Sequence, residues 1–367
     1  MQKLNFLFFG AGAIGTYIGG SLAAHGQHVT FIEQPNVIAE LRERGLRIDY
    51  GKYLGGKIVE VKPDQFDLYP SLTDALNARK YDVAIFALKS FDTQDVLDSI
   101  LAASANAPHP FPPILCLQNG VENEQKIASA LGADHVIIGS VTSAIGRKGT
   151  GDMLLDKYRG IGIGSGADPV SAALINAIIA AMDDALLLPK LVAHPLDMKW
   201  SKLIGNQLTS AVSAIVNMTP EEVLSNDLLY ELEMEQIRET LRVMKALGIK
   251  PINLPGAPTG ILALASQLPR FLVQPLLKKL GGSSRGAKMP SFHIDLYAGR
   301  SQSEVEFLHG AVVRFGEKSG VPTPVNKMLT ETLLKLTRKE IPLNTFDHQP
   351  EKLLALLKND PLRTRRT

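Results

Sequence analysis

The chain has 367 residues, 45% of them hydrophobic and 21% charged, which is enough length for two domains with separate cores and too apolar for a disordered chain. Its 39 basic and 37 acidic residues leave a formal net charge of +2, so no global positive field exists to hold a polyanion, and nucleic acid is not an expected partner. A single cysteine excludes an intramolecular disulfide and any multi-cysteine metal site, and it fits a reducing, cytoplasmic location.

Residues 4–9 form an apolar run that ends directly in glycines, too short for a signal h-region and suited to a first strand. Residues 14–25 read as a helix, 28–32 as a second strand, and 83–88 and 114–117 as later strands, with further Gly-rich strands and turns over 138–165. Short apolar strands alternating with helices predict βαβ units and a parallel sheet covered on both faces. Cys116 lies inside one such run and reads as a small buried hydrophobe. Residues 172–188 are apolar but interrupted by Asp183 and Asp184, which predicts a buried helix and no membrane span.

Beyond about residue 190 helical periods take over, at 199–216, 220–247 and 305–317. Between 251 and 290, Pro and Gly surround the apolar stretch 271–280, a loop-rich excursion with one or two short helices. The fold class expected is α/β, with a Rossmann-type parallel-sheet domain over 1–190 followed by a mostly α-helical domain over 191–345. Residues 346–367 read as a C-terminal helix and a tail whose basic residues, Arg363, Arg365 and Arg366, form a solvated end.

The string FFGAGAIGTYIGG sets Gly10, Gly12 and Gly15 in GxGxxG spacing after a strand and at the mouth of a helix. In that context Gly10 allows the tight turn, Gly12 lets backbone approach a pyrophosphate, and Gly15 lets helix and strand pack closely, so a dinucleotide is expected. Glu33 ends the second strand, where a carboxylate accepts from the adenosine ribose hydroxyls and favours NAD(H). The competing reading sends Glu33 into solvent and brings Arg42 or Arg44 back to a 2′-phosphate.

Lys202, Asn206 and Ser210 are spaced four apart in the 199–216 segment and so share one face of a continuous helix, either facing water or lining a pocket. The strings GAGAIG, FALKSFDT, LQNGVENE, KWSKLIGNQLTSAV and KMPSFHIDLYAGRSQSEVEFLHG, the last followed by GVPTPVN, run in this order along the chain. With them the chain resembles the ketopantoate reductase (2-dehydropantoate 2-reductase) family over nearly its whole length.

The resemblance implies reduction of 2-dehydropantoate to pantoate with NADPH, on the route to pantothenate and coenzyme A, by a Rossmann domain and a helical domain that close on the substrate. It implies Lys202 as general acid, Glu304 as its carboxylate companion, and Asn206, Ser210 and Ser291 as substrate-holding groups. Lys89 and Asn119, at two strand ends, would contact cofactor and substrate. The residue types suit the chemistry: hydride reaching a C2 ketone leaves alkoxide charge that an ammonium can stabilise and protonate, with no metal required. The expected partner is a small-molecule 2-oxo acid, with no membrane, and a homodimer is left open.

Plainer readings stand beside these. Ser301 with Glu304, or Ser303 with Glu306, could form a capping box. Lys199 competes with Lys202 for the acid role, Trp200 reads as core, Lys89 could snorkel at a sheet end, and Asn119-Gly120 could be a turn. Where the family commonly carries Asp and Asn, this chain has Glu306 and His309, and His309 reads as a surface or core-edge residue. The alternatives in function are reduction of another small 2-oxo acid by the same residues and, from another class, a non-catalytic NAD(P) redox sensor.

Overall fold

The computed structural model describes residues 3–166, 170–275, 277 and 289–358. The basic tail lies outside the described residues, as do Lys288 and part of the 271–280 stretch. The chain forms two compact units, one of Met1–Lys199 with Leu254–Ala257, the other of Trp200–Asn253 with Pro258–Thr367.

The first unit is built on an eight-stranded sheet containing β1 (Asn5–Phe9), β2 (His28–Ile32), β5 (Asp67–Tyr69), β6 (Val83–Phe86), β7 (Ile114–Cys116), β8 (Val136–Val141), β11 (Ile161–Ser165) and β12 (Pro189–Leu191). Its order is β12-β11-β8-β7-β6-β1-β2-β5, and every neighbouring pair is parallel except β8 with β11. Phe6 of β1 pairs with Val29 on one side and Val83 on the other. Phe6, Leu7 and Phe8 are fully buried, the result of covering both faces of an apolar strand. The chain leaves β1 for β2 on one side and later returns to β6 on the other, which opens a crevice at the carboxyl end of β1.

Helix α1 (Ala13–Ala24) follows β1 and packs between this sheet and a second one, of order β4-β3-β10-β9, formed by β3 (Leu46–Asp49), β4 (Ile58–Val61), β9 (Ala144–Gly149) and β10 (Asp152–Lys157). Two-sided burial explains its small residues: a Cβ on Gly19 would lie 2.5 Å from the Phe31 ring, and one on Gly20 would lie 2.9 Å from Ile48. Helices α2 (Pro35–Arg44), α3 (Leu72–Ala78), α4 (Thr93–Ser104), α5 (Asn123–Leu131) and α6 (Ala172–Asp184) complete the unit. Helix α6 buries one face, Ile175, Ile178, Ala181 and Met182.

Helix α7 (Pro195–Gln207) starts in the first unit and ends in the second. The second unit continues with α8 (Ser210–Val216), α9 (Pro220–Ser225), α10 (Asp227–Ala246), α11 (Thr259–Ala265), α12 (Ser291–Tyr297), α13 (Val305–Ser319), α14 (Pro324–Thr337) and α15 (Pro350–Lys358). The long α10 packs against α9, α13, α14 and α15.

Two segments that periodicity reads as single helices are each broken. Between α7 and α8, Thr209 adopts the left-handed conformation, φ 62° and ψ −3°. Between α9 and α10, the Asn226 side chain caps a new helix by accepting from the Leu228 and Leu229 N–H groups at 3.0 and 3.1 Å. Among the described residues no helix is long and apolar enough to cross a membrane.

Candidate active site

In the first unit Gly10, with φ +91°, makes the turn after β1. A Cβ on Gly15 would fall 2.1 Å from the Gly10 carbonyl oxygen, so the helix can pack on the turn only with glycine there. A Cβ on Gly12 would meet nothing within 4 Å, and Gly12 starts α1 without a side-chain cap. An uncapped first turn beside open space fits a pyrophosphate, because its N–H groups point outward and carry the positive end of the helix dipole.

Glu33, directly after β2, turns back onto this turn: its Oε1 accepts from the Ala11 N–H and its Oε2 from the Gln34 N–H at 3.2 Å. The carboxylate is thus not directed wholly into solvent, and of Arg42 and Arg44, the two candidates for a 2′-phosphate, Arg44 pairs with Glu40 at 2.7 Å.

Lys89 and Asn119 follow β6 and β7, are both exposed, and sit on backbone fixed from beneath. The Gln118 amide donates to the Lys89 carbonyl at 3.1 Å and to Thr93 Oγ1 at 2.9 Å. Ser90 Oγ and Asn123 Nδ2 both donate to the Asn119 carbonyl at 2.8 Å. Gly120 has φ +91°, so Asn119-Gly120 is also a turn. Sequence reasoning assigned no role to Ser90, Thr93, Gln118 or Asn123. The signal lay inside FALKSFDT and LQNGVENE, where polar residues beside buried strands need partners and here find one another.

Lys199 extends this network and cannot share the role expected of Lys202. Its Nζ donates to the Gln118 carbonyl at 2.5 Å and the Gly139 carbonyl at 3.4 Å, and pairs with Glu124 at 2.8 Å. Burial is the largest single influence and pushes this ammonium towards neutrality, but the Glu124 charge, Cys116 and the Glu124 hydrogen bond together hold the Lys199 pKa above its ordinary value. Buried Cys116 is inert as a nucleophile, its pKa raised by desolvation first and by Glu124 next.

In the second unit, Lys202 and Asn206 are half-buried one turn apart on α7. Ser210 does not continue their helical face as the spacing predicts; it is the buried first residue of α8, after the break at Thr209. Helix α12 opens with Ser291, which is exposed, and packs against α8. Trp200 on α7 meets Phe315 on α13 edge to face at 5.3 Å between ring centroids, which makes it core.

Glu304 occupies the N-cap position of α13, 6% exposed, and its side chain makes no cap hydrogen bond. Ser303 Oγ accepts only from the Val305 N–H, at 3.3 Å, so neither expected capping box forms. His309 corrects the sequence reading: it is wholly buried, and desolvation pushes its pKa down to about 3. The helical pattern of α13 places position 309 on the same inward side as Val305 and Leu308, and Phe292 covers the ring at 6.1 Å.

Family models described as ketopantoate reductase PanE/ApbA and its C-terminal domain match residues 6–168 and 196–337. A 2-dehydropantoate 2-reductase from Pyrococcus horikoshii is 24% identical over 328 residues, 89% of this chain and 95% of that protein. The crystal structure of a PanE/ApbA family ketopantoate reductase from Ralstonia eutropha superposes with a TM-score of 0.73 at 23% identity, covering 92% of this chain and 99% of the other. A D-mandelate dehydrogenase structure with NADH and anilino(oxo)acetate gives a TM-score of 0.71 at 19% identity, with the same coverages. At these identities the two structures speak for the fold alone. Matching models over both halves, and a relative matched over nearly its full length, establish that the chain belongs to the ketopantoate reductase family of NAD(P)-dependent oxidoreductases.

Proposed function

We propose that this protein reduces ketopantoate to pantoate with a nicotinamide cofactor, using Lys202 as the proton donor. The observation that carries the assignment is the division of labour along α7: Lys199 is committed to Glu124 and two carbonyls, while Lys202 stands half-buried one turn before Asn206. Bound cofactor supplies the hydride that the substrate C2 carbon accepts. The protein's part is to stabilise the alkoxide oxygen as charge develops and to protonate it, which the Lys202 ammonium does. Glu304 is the carboxylate companion of that ammonium, and Asn206, Ser210 and Ser291 hold the substrate carboxylate and hydroxyl through neutral donors.

Gly10, Gly12 and Gly15 hold the pyrophosphate, Lys89 and Asn119 flank the nicotinamide, and Glu33 accepts from the ribose. Glu33 supports NADH over NADPH, since a 2′-phosphate at the end of β2 would meet a carboxylate. The second reading is a different 2-oxo acid handled by the same groups, favoured by Glu306 and His309, which depart from the family pattern.

A steady-state panel of ketopantoate and other branched and aromatic 2-oxo acids, each with NADH and with NADPH, tests all of this. Ketopantoate should give the highest kcat/KM, with NADH preferred. Turnover of ketopantoate no better than that of the simple analogues would hand the assignment to the second reading.

A further inference from the structure

The break at Thr209 separates two of the groups assigned to the substrate, and a buried hydrogen-bonded chain ends on it. Glu233 of α10 accepts the Thr209 N–H at its Oε2, at 2.8 Å, and the same oxygen accepts from the Gln236 amide. Gln236 Oε1 in turn meets His309 Nε2 at 2.9 Å. Glu233, Gln236 and His309 are each fully buried.

With Glu233 ionised, the chain has one self-consistent assignment. A carboxylate only accepts, so Gln236 must turn its NH2 towards Glu233 and its oxygen towards His309, and His309 must then carry its proton on Nε2. Burial, which keeps the imidazole neutral, agrees with that tautomer. On the other side of the break, Gln207 is fixed separately: its amide donates to Asn326 Oδ1 at 2.7 Å, and its oxygen accepts from Thr240 at 2.9 Å.

We propose that Glu233 is a positioning residue for the substrate site: it holds Thr209 in the left-handed conformation that aims Ser210 independently of Asn206, and Gln236 and His309 hold Glu233. This rests on the reading of Asn206 and Ser210 as substrate groups. A β-branched residue has no preference for φ 62°, and a helix break leaves its N–H without the carbonyl four residues back. Glu233 answers both needs at once. Without it the segment has two ways to relax, towards continuous helix or towards an unbonded loop, and each moves Ser210 relative to Asn206.

Glu233→Met keeps the bulk but removes the acceptor, so the Thr209 N–H and the Gln236 amide both lose their partner. Glu233→Gln is the conservative variant, because one oxygen takes both bonds and an amide oxygen in its place accepts both. Placement errors of about 1 Å in a substrate site cost up to about 100-fold. Glu233→Met should therefore raise KM for the 2-oxo acid by about tenfold or more and lower kcat by less, with the reduced-cofactor Kd within about twofold of wild type. Glu233→Gln should keep KM within about threefold of wild type, and this split of KM from kcat and cofactor Kd is not what a merely structural glutamate predicts.

Steady-state kinetics on the full chain, with cofactor fluorescence titration and circular dichroism, read these quantities. Lys202→Ala serves as the control for the functional reading. An active wild type, silenced by Lys202→Ala, whose folded Glu233→Met variant keeps its KM, or whose Glu233→Gln variant is no better than Glu233→Met, overturns the inference and leaves the function standing. A wild type that reduces no 2-oxo acid removes both. If Glu233→Met does not fold, Gln236→Met decides: it leaves the Glu233 carboxylate unbraced and should raise KM about threefold or more, and an unchanged KM overturns the inference.

Discussion

Two residues of helix separate Lys199 from Lys202, and the difference in their surroundings decides what each can do. Lys199 and Glu124 expose 3% and 8% of their side chains, so neither can turn to water if the other is removed. Lys199→Met should cost about 3–5 kcal/mol in urea unfolding, because it strands a buried carboxylate, and adding Glu124→Leu should recover most of the loss. Lys202→Ala should instead lower turnover by about 10²-fold while cofactor binding persists, the usual scale for a general acid. Equal turnover losses in the two single variants with no change in unfolding would contradict this division. Glu33 carries a third prediction at this scale. A charge-assisted hydrogen bond contributes about 1.5–3 kcal/mol, so Glu33→Ala should weaken NADH binding by about tenfold or more and leave NADPH binding unchanged or improved. A fluorescence titration in which both cofactors weaken equally would mean that Glu33 only braces the Ala11 N–H.

Helices and strands show where sequence patterning is informative. The central strands of the large sheet are largely apolar, so β1, β2, β6 and β7 are legible from short hydrophobic runs, and the glycine turn is fixed by its place after β1. Of the second sheet only the Gly-rich strands β9 and β10, inside 138–165, were legible; β3 and β4 were not. Its strands, such as Leu46–Asp49 and Ile58–Val61, are half-exposed and mixed in polarity, and β3 pairs with β10 through Arg47 and Asp152, a partner more than a hundred residues away. Helix breaks were missed for a different reason. Apolar period runs through Thr209 and Asn226 without interruption, while the break depends on a distant carboxylate at Thr209 and on a local cap at Asn226. Only the second leaves a local trace, since Ser225-Asn226-Asp227 is a helix-start signal. Asn226→Ala should cost about 0.5–2 kcal/mol, the range for losing an N-cap, measured by thermal unfolding. A cost near zero would mean that packing of α10 holds the break unaided.

Across the molecule, buried ionisable groups couple stability to pH, and His309 gives that coupling a sign. Unfolded, its imidazole takes a proton below about 6.5; folded, it stays neutral until about 3. The unfolded chain therefore binds one more proton than the folded chain throughout that window. Stability from this residue is fully present above pH 6.5 and falls as pH drops towards 3, by about 1.4 kcal/mol per unit. Glu239 works the other way. Burial outweighs its bonds to the Val325 and Asn326 N–H groups and lifts its pKa to about 7, so its contribution is full below about 4.5 and is lost as pH rises through 7. The two partly cancel in the wild type, and a single pH profile of unfolding would hide both. Comparison with His309→Asn separates them, because Glu239 is common to both proteins. The wild-type stability minus that of His309→Asn should be constant above pH 6.5 and should decline by about 2 kcal/mol at pH 5. A difference that stays level from pH 7 to pH 5 would mean that His309 is protonated in the folded protein, against its burial.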